Sequence, residues 1–469
     1  MKIHTFAGAL ALSASLTAQW QETTPASSPA GRAGHGMACD PSSGDVVVFG
    51  GDTFAFPAGP TNQTWRYDGA TWTNANPATS PPASVGVSLV YDSNRAVFVT
   101  YGSLSTSFFG GPSADRTWEY DPLTNAWSEN VLLTTTPGGL GLYGMSFDSV
   151  VGRTVLYGGL PDNFFPIDSD QTWEYDGNDW TLVTTTGNPG PLERPGMCFH
   201  AGIGRSVVFG GIDVQTGGND DVWLYQSNGN GTGTWSTAIV TGPRPTVRTG
   251  CRLVYDSARQ VCVLTGGQDP NNGTPFGDTW ELTVDGAGNG AGTQVTSAYT
   301  NARLDAGRAF VPTRRQVVMF GCSNFVTFQA YGDTWEYGAK SRTFGNGCPG
   351  SNGVPTLDAA DAPRFGENYV LDVGNLNTSV NVAFVALSLS DIPPTPLDVI
   401  GMTGCTAYVL PVALATVTGS AGSASLSTAM PTTVGLLGTS IFSQALSLDP
   451  QVNAAWLTAS NAHEGTLGG

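Results

Sequence analysis

An all-β fold, in the form of a six-bladed β-propeller followed by a smaller C-terminal β-sandwich, is what the 469-residue sequence predicts. Three observations carry that expectation. A tryptophan-centred motif recurs six times at near-constant spacing, short apolar runs between turn residues fill each interval, and both features stop near residue 340. The composition agrees: 62 Gly and 12 Trp are accompanied by 40 % apolar and only 12 % charged residues, ample material for a core.

The chain opens on an address. Lys2 and His4 precede an apolar stretch from Phe6 to Leu16, closed by the small residues Thr17-Ala18. That run is too short to span a bilayer but suits the core of a signal peptide, so residues 1–18 are expected to be removed and the mature chain exported. No later segment offers some 18 uninterrupted apolar residues, so no transmembrane anchor is expected.

The repeats follow. Thr64-Trp65-Arg66-Tyr67, Thr117-Trp118-Glu119-Tyr120, Thr172-Trp173-Glu174-Tyr175, Val222-Trp223-Leu224-Tyr225, Thr279-Trp280-Glu281-Leu282 and Thr334-Trp335-Glu336-Tyr337 share one pattern, with their tryptophans 53, 55, 50, 57 and 55 residues apart. Each is preceded by an apolar run ending in glycine, such as Val46-Val47-Val48-Phe49-Gly50-Gly51 or Val207-Val208-Phe209-Gly210-Gly211. Upstream lies a further apolar segment and a turn, as in Leu253-Val254-Tyr255-Asp256-Ser257. A second tryptophan follows in four repeats: Trp72, Trp127, Trp180 and Trp235. Four short strands per period of about 50 residues make one propeller blade. Asp68, Asp92, Asp121, Asp148, Asp176 and Asp256 fall in the turns, where a carboxylate bonds its own backbone a couple of residues on.

The glycine pair, tyrosine and tryptophan in this order resemble the kelch repeat over residues 19–340, with departures at Tyr101-Gly102, at Gly321-Cys322 and in the fifth repeat, which lacks its Tyr and its second Trp. The sixth repeat has no fourth strand of its own. Trp20-Gln21-Glu22-Thr23 reads like the segments after Trp72, Trp127 and Trp180, so the N-terminal strand is expected to complete the last blade and remove the open sheet edges. Trp20, Trp65, Trp118, Trp173, Trp223, Trp280 and Trp335 are therefore assigned to the structure of the repeat.

Residues 341–353 read as a linker, and 354–469 as a β-sandwich built from short runs divided by Gly, Pro, Asn and Asp. This part resembles a C-terminal module of many secreted bacterial proteins, a likeness that implies no chemistry. Of seven cysteines, Cys348 and Cys405 are paired by elimination within that module, and Cys251 with Cys262 across one hairpin. Cys39, Cys198 and Cys322 occupy apolar slots of the repeat.

Function is less legible. A net charge of −18, from 37 acidic against 19 basic residues, disfavours nucleic acid and anionic lipid. The kelch resemblance brings galactose oxidase into view, whose family uses two His, two Tyr and a Tyr–Cys crosslink on copper. After loss of the signal only His35, His200 and His463 remain, and the repeats put His35 and His200 in opposite blades, at opposite faces of the ring. No G-x-S-x-G, H-E-x-x-H or P-loop pattern occurs. Asp168 with Asp170 and Asp220 with Asp221 would suit calcium, but without the glycine-spaced loop of a dedicated calcium motif turn capping is the favoured reading.

One constellation points to a ligand. Arg32, Arg194, Arg248 and Arg308 fall at or near the first strand of four repeats, with His35 beside the first, although Arg194 and Arg308 are offset by two and four residues from Arg32 and Arg248. Such a cluster would form a positive funnel for acidic ligands, or would join blades through Asp, Glu and Trp. The expected function is non-catalytic recognition of a glycan or protein by an exported monomer, with no catalytic residue and no resident metal. A channel-centred sugar-acid epimerase or lyase, or a structural surface scaffold, are the alternatives.

Overall fold

A computed structural model describes residues 20–54, 59–104, 113–161, 168–295, 302–324, 329–338, 340–359, 363–364, 366–431 and 439–467. The expected signal peptide, residues 1–18, lies outside them. The described residues are all-β, with one 3₁₀ turn at Asp398–Ile400 and no helix long and apolar enough to cross a membrane. The chain divides into two compact units, Trp20–Gly338 and a C-terminal one that begins at Ala339.

Among the described residues the first unit holds six mainly antiparallel sheets of four or five strands, one for each tryptophan motif, besides the two-stranded pairs Leu140–Gly141 with Leu160–Pro161 and Ile212–Asp213 with Gly217–Gly218. Sheet 1 runs Gly36–Cys39, Val46–Phe49, Thr64–Tyr67, Trp72–Asn74, and sheet 2 runs Val90–Asp92, Val97–Leu104, Ser113–Asp121, Ala126–Asn130. Sheet 3 runs Gly144–Asp148, Arg153–Tyr157, Thr172–Tyr175, Trp180–Leu182. Sheet 4 runs Gly196–His200, Arg205–Phe209, Val222–Ser227, Thr232–Thr237, and sheet 5 runs Arg252–Asp256, Val261–Thr265, Thr279–Val284, Asn289–Val295. Sheets 4 and 5 each gain a short parallel fifth strand, Thr184–Thr186 and Ile239–Thr241. Sheet 6 takes Gly307–Val311, Gln316–Asn324 and Gln329–Gly338 from its own repeat and Trp20–Thr23 from the N-terminal end, paired Trp20 to Tyr337 through Thr23 to Thr334. The first strands touch in sequence: sheet 1 meets 2, 2 meets 3, and so on until sheet 6 meets sheet 1.

Local chemistry explains these elements. Three consecutive valines at 46–48 favour an extended backbone buried on both faces, and each is fully buried. The chain then leaves the strand through Gly50 and Gly51 at φ 74° and 94°, where a Cβ on Gly50 would stand 2.8 Å from the Ser84 carbonyl. In the hairpin turns the six predicted aspartates accept an N–H from the residue two positions on, as Asp92 does from Asn94 and Asp148 from Val150.

Neighbouring sheets are joined by two repeating polar couples. The fourth-strand tryptophan donates Nε1–H to the motif threonine of the preceding sheet: Trp72 to Thr334, Trp127 to Thr64, Trp180 to Thr117, Trp235 to Thr172 and Trp20 to Thr279, all at 2.8–2.9 Å and buried. The motif tyrosine likewise donates to the preceding sheet's glutamate, as Tyr67 to Glu336, Tyr175 to Glu119 and Tyr225 to Glu174. The boundary between sheets 4 and 5 is built differently. Sheet 5 has Gly292 opposite Leu282 where its neighbours place Trp opposite Tyr, and sheet 4 has Val222 and Leu224 in the Thr and Glu positions. Donors and acceptors are lost together, and Val222, Leu224 and Leu282 share an apolar cluster with Cys198, Cys251 and Cys262.

In the C-terminal unit a five-stranded sheet (Lys340–Phe344, Leu457–Thr466, Ser440–Leu448, Val382–Ser388, Ala413–Thr418) shares a core with a three-stranded one (Thr356–Asp358, Asn368–Gly374, Ala424–Ala429). The run from Thr406 to Thr418 forms two strands, Thr406–Val409 and Ala413–Thr418, divided at Pro411, which lacks an N–H for the ladder. The expected linker at 341–353 is not one: Lys340–Phe344 pairs with Ala462–Thr466, and the Cys348 N–H bonds the Ala459 carbonyl. The Cys348–Cys405 disulfide is present. Cys251 and Cys262 are both free thiols, because the hairpin register sets Cys262 opposite Tyr255 and leaves Cys251 outside the strand. The Cys262 sulfur instead lies 3.6 Å from that of Cys198.

Candidate channel site

The first strand of each sheet, aligned on Gly36, Ser88, Gly144, Gly196, Arg252 and Gly307, places one residue per sheet at each level of a common cavity. The next position holds Met37, Leu89, Met145, Met197, Leu253 and Arg308. Two residues on, pointing the same way as period 2 dictates, stand Cys39, Tyr91, Phe147, Phe199, Tyr255 and Phe310. All twelve line a cavity of about 330 Å³ that opens to solvent. The second ring is half-buried throughout.

Beyond the Met/Leu ring a smaller space of about 70 Å³ is lined by His35, Ser88, Gly307, Arg252 and Arg308 as well as the ring itself. His35 is 1 % exposed and its Nε2 accepts the Gly307 N–H at 3.1 Å. Burial, together with the charges of Arg32, Arg252 and Arg308, holds its imidazole well below the usual range, so it stands there as a neutral acceptor. Arg252 pairs with the buried Asp305 at 3.6 Å, and Arg194 approaches the other oxygen of Asp305 at 4.0 Å. Neither oxygen of Asp305 makes a hydrogen bond among the described residues. Burial also raises the Glu193 carboxyl, 3.9 Å from Arg194.

The five predicted ligand-binding residues therefore separate. His35 and Arg308 meet at the base of the cavity, with Arg194 nearby through Asp305. Arg32 and Arg248 do not join them. Both are fully buried. Arg248 forms a bidentate pair with Asp278 at 2.6 and 2.9 Å, bonds the Gly266 and Thr246 carbonyls and lies over the Phe276 ring at 4.2 Å. Arg32 repeats this with Gln63 and the Gly50 and Ala30 carbonyls, and Arg303 with Asp333 and the Gly321 carbonyl. Gln63, Asp278 and Asp333 each also accept from the motif tryptophan two residues on, Trp65, Trp280 and Trp335, so these arginines anchor the third strand.

Sequence reasoning missed Arg252, Asp305 and both rings. The signal lay in the alignment register: set on the first-strand glycine, Arg32, Arg248 and Arg303 fall in one column, and Arg308 and Arg252 fall in two others. His200 ends the first strand of sheet 4, with its ring 4.2 Å from that of Tyr255. Asp168 accepts the Val214 N–H, Asp170 accepts from Asn188, and Asp220 and Asp221 face Arg244. Among the described residues no three His, Cys, Asp or Glu side chains converge as a metal site.

The class defined by this fold is an all-β protein built on a repeated four-stranded sheet. No known family matches the sequence, and no curated protein does. Among solved structures, that of YjhT is similar at a TM-score of 0.51 and 11 % identity, over 66 % of this chain and 96 % of that one. The likeness speaks to the fold alone.

Proposed function

We propose that residues 20–338 are a kelch-type propeller of six blades in an exported protein with a C-terminal β-sandwich, and that the propeller binds a ligand without transforming it, in the mouth of its central channel. The cyclic contacts of the six first strands and the completion of sheet 6 by Trp20–Thr23 support the ring. The observation that carries the binding reading is the open cavity of about 330 Å³ ringed by Tyr91, Phe147, Phe199, Tyr255 and Phe310, within the size range of small-molecule sites. Aromatic faces suit either sugar rings or apolar groups. The arginine rim inferred from sequence is replaced in this reading by the channel.

The test is a thermal-shift screen of glycans and small apolar compounds on the full chain, repeated on Phe199→Ala. A compound that raises the melting temperature of the wild type and not of the variant supports the channel. Binders that ignore Phe199→Ala and matching changes at its ring neighbours would move recognition elsewhere.

A further inference from the structure

We infer that Cys198 and Cys262 are a disulfide-forming pair, and that their bond joins sheets 4 and 5 covalently at the boundary that lacks the tryptophan–threonine couple. The repeat positions both side chains. Two residues beyond the alignment point of each first strand stand Ala38, Val90, Ser146, Cys198, Val254 and Ala309. Counting back three from Phe49, Tyr101, Tyr157, Phe209, Thr265 and Phe320 in the second strands gives Val46, Phe98, Thr154, Ser206, Cys262 and Val317. The first column meets the second strand of the following sheet. Ser146 and Ser206 share a hydrogen bond at 2.9 Å, and the Cys198 sulfur lies 3.6 Å from that of Cys262. Ala38 shares an apolar cluster with Phe98, Val254 with Val317 and Ala309 with Val46.

Cysteine therefore enters each column once, at the same boundary and on both sides of it. The other boundaries fill these positions with Ala, Val, Phe, Thr or Ser, so packing does not call for a thiol. One buried cysteine would be a small hydrophobe; two that replace facing residues together have the makings of a bond. Their sulfurs touch at 3.6 Å, and a disulfide sets them at about 2.0 Å. Rotation about the two Cα–Cβ bonds covers the difference. The third thiol of the cluster is engaged elsewhere, since the Cys251 sulfur bonds the Phe209 carbonyl.

The chain meets an oxidant for thiols, because Cys348–Cys405 is closed in its C-terminal unit. That oxidant is itself a disulfide, of a small thiol or of an oxidoreductase. One cysteine thiolate attacks it, forming a mixed disulfide and releasing one thiol. The second cysteine thiolate attacks the protein sulfur of the mixed disulfide and releases the other. Two electrons pass to the oxidant, and the two cysteine protons end on the released thiols. Burial, with the Cys262 thiol alongside, holds the Cys198 thiol well above its usual range. Little thiolate exists once the sheets have docked, so the bond forms as they dock.

The experiment refolds the reduced full chain in oxidised and reduced glutathione, at the ratio where Cys348–Cys405 closes. Free thiols are then blocked with iodoacetamide in denaturant, and a tryptic digest is mapped without reduction. Cleavage after Arg205, Arg252 and Arg259 puts Cys198, Cys251 and Cys262 on separate peptides. Linked peptides carrying Cys198 and Cys262 are expected, with Cys39, Cys251 and Cys322 alkylated. Five alkylated cysteines beside a closed Cys348–Cys405 overturn the inference, and a linked peptide that holds Cys251 overturns the pairing. Stability tests the second half. By tryptophan fluorescence the wild-type Trp20–Gly338 unit should melt roughly 5–15 °C higher after refolding in glutathione than in a phosphine reductant, because the bond spans 64 residues. The double variant Cys198→Ser with Cys262→Ser, which installs the hydrogen-bonded pair of sheets 3 and 4, should show no such difference. A linked wild type without the difference, or a variant that shows it too, overturns the bond as what joins the sheets.

Discussion

Thr64→Val should cost the Trp20–Gly338 unit about 1–3 kcal/mol, although it only replaces a hydroxyl by a methyl of nearly the same size. Thr64 is fully buried and its Oγ1 accepts the Trp127 Nε1–H at 2.8 Å. Valine keeps the volume and the strand preference, so the change isolates the acceptor, and a buried indole N–H left alone bears the desolvation penalty of about 1–3 kcal/mol. The mirror change sits at the boundary that lacks the couple. Val222→Thr puts a hydroxyl at a position 2 % exposed, facing a sheet with Gly292 where the donor tryptophan would be, and should cost about as much. Trp127→Phe removes the donor, so Thr64→Val should be milder in that background, with a coupling of about 1 kcal/mol. The assay is chemical denaturation followed by tryptophan fluorescence, which reports this unit because Trp456 alone lies outside it. Thr64→Val and Val222→Thr both within about 0.5 kcal/mol of wild type, the range of neutral surface changes, would refute the couple as a determinant of how the sheets join.

Four further outcomes are expected. Trp20→Ala removes a side chain 2 % exposed that packs 5.0 Å from Tyr337 and bonds Thr279, and should lower stability of the whole unit by about 3–5 kcal/mol in the same assay, not fray one strand. Arg248→Ala leaves Asp278 without its bidentate partner and should cost about 3–5 kcal/mol in denaturation while leaving the binding of any channel ligand that survives folding unchanged. His35 is neutral in the fold and titrates when unfolded, so unfolding takes up a proton below about pH 6.5; stability is retained above that pH and lost below it at about 1.4 kcal/mol per pH unit, a slope that His35→Gln should reduce in melts between pH 5 and 7. His200 and His463 shift in the same direction and add to the slope of the wild type. Replacing Cys348 and Cys405 by alanine opens a 57-residue separation and should destabilise the C-terminal unit by about 4 kcal/mol in calorimetry.

The architecture was legible because a repeat states its own rule six times. The tryptophan spacing fixed the number of sheets, the turn aspartates marked the hairpins, and the tryptophan at position 20 disclosed a pairing with residue 337, more than 300 residues away. What escaped was whatever depends on register or on a partner remote in sequence without a motif. Cys251 and Cys262 look like hairpin partners until the ladder sets Tyr255 opposite Cys262. Lys340–Phe344 has no apolar alternation to announce a strand, and it becomes one because Ala462–Thr466 offers an edge. The channel lining was hidden for a third reason: methionine, leucine and phenylalanine in a strand look like core, and only the radial arrangement of the six strands turns one of their faces toward a cavity.

That arrangement also supplies a criterion for telling structural arginines from the others. Among equivalent sheets, a residue that recurs in one column with the same partners answers to the fold. Arg32, Arg248 and Arg303 do so, each reaching a carbonyl 18 residues on and a side chain 30 or 31 residues on. A residue that breaks its column without a matching change next door answers to something else. Gly292 breaks its column, but Val222 answers it across the boundary, so that exception remains structural. Arg252 breaks its column as well, and Asp305 of the neighbouring sheet answers it at 3.6 Å, while Arg308 replaces an apolar residue and donates to the Ala306 carbonyl. Both arginines sit at the base of an open cavity, in a chain that is otherwise acidic.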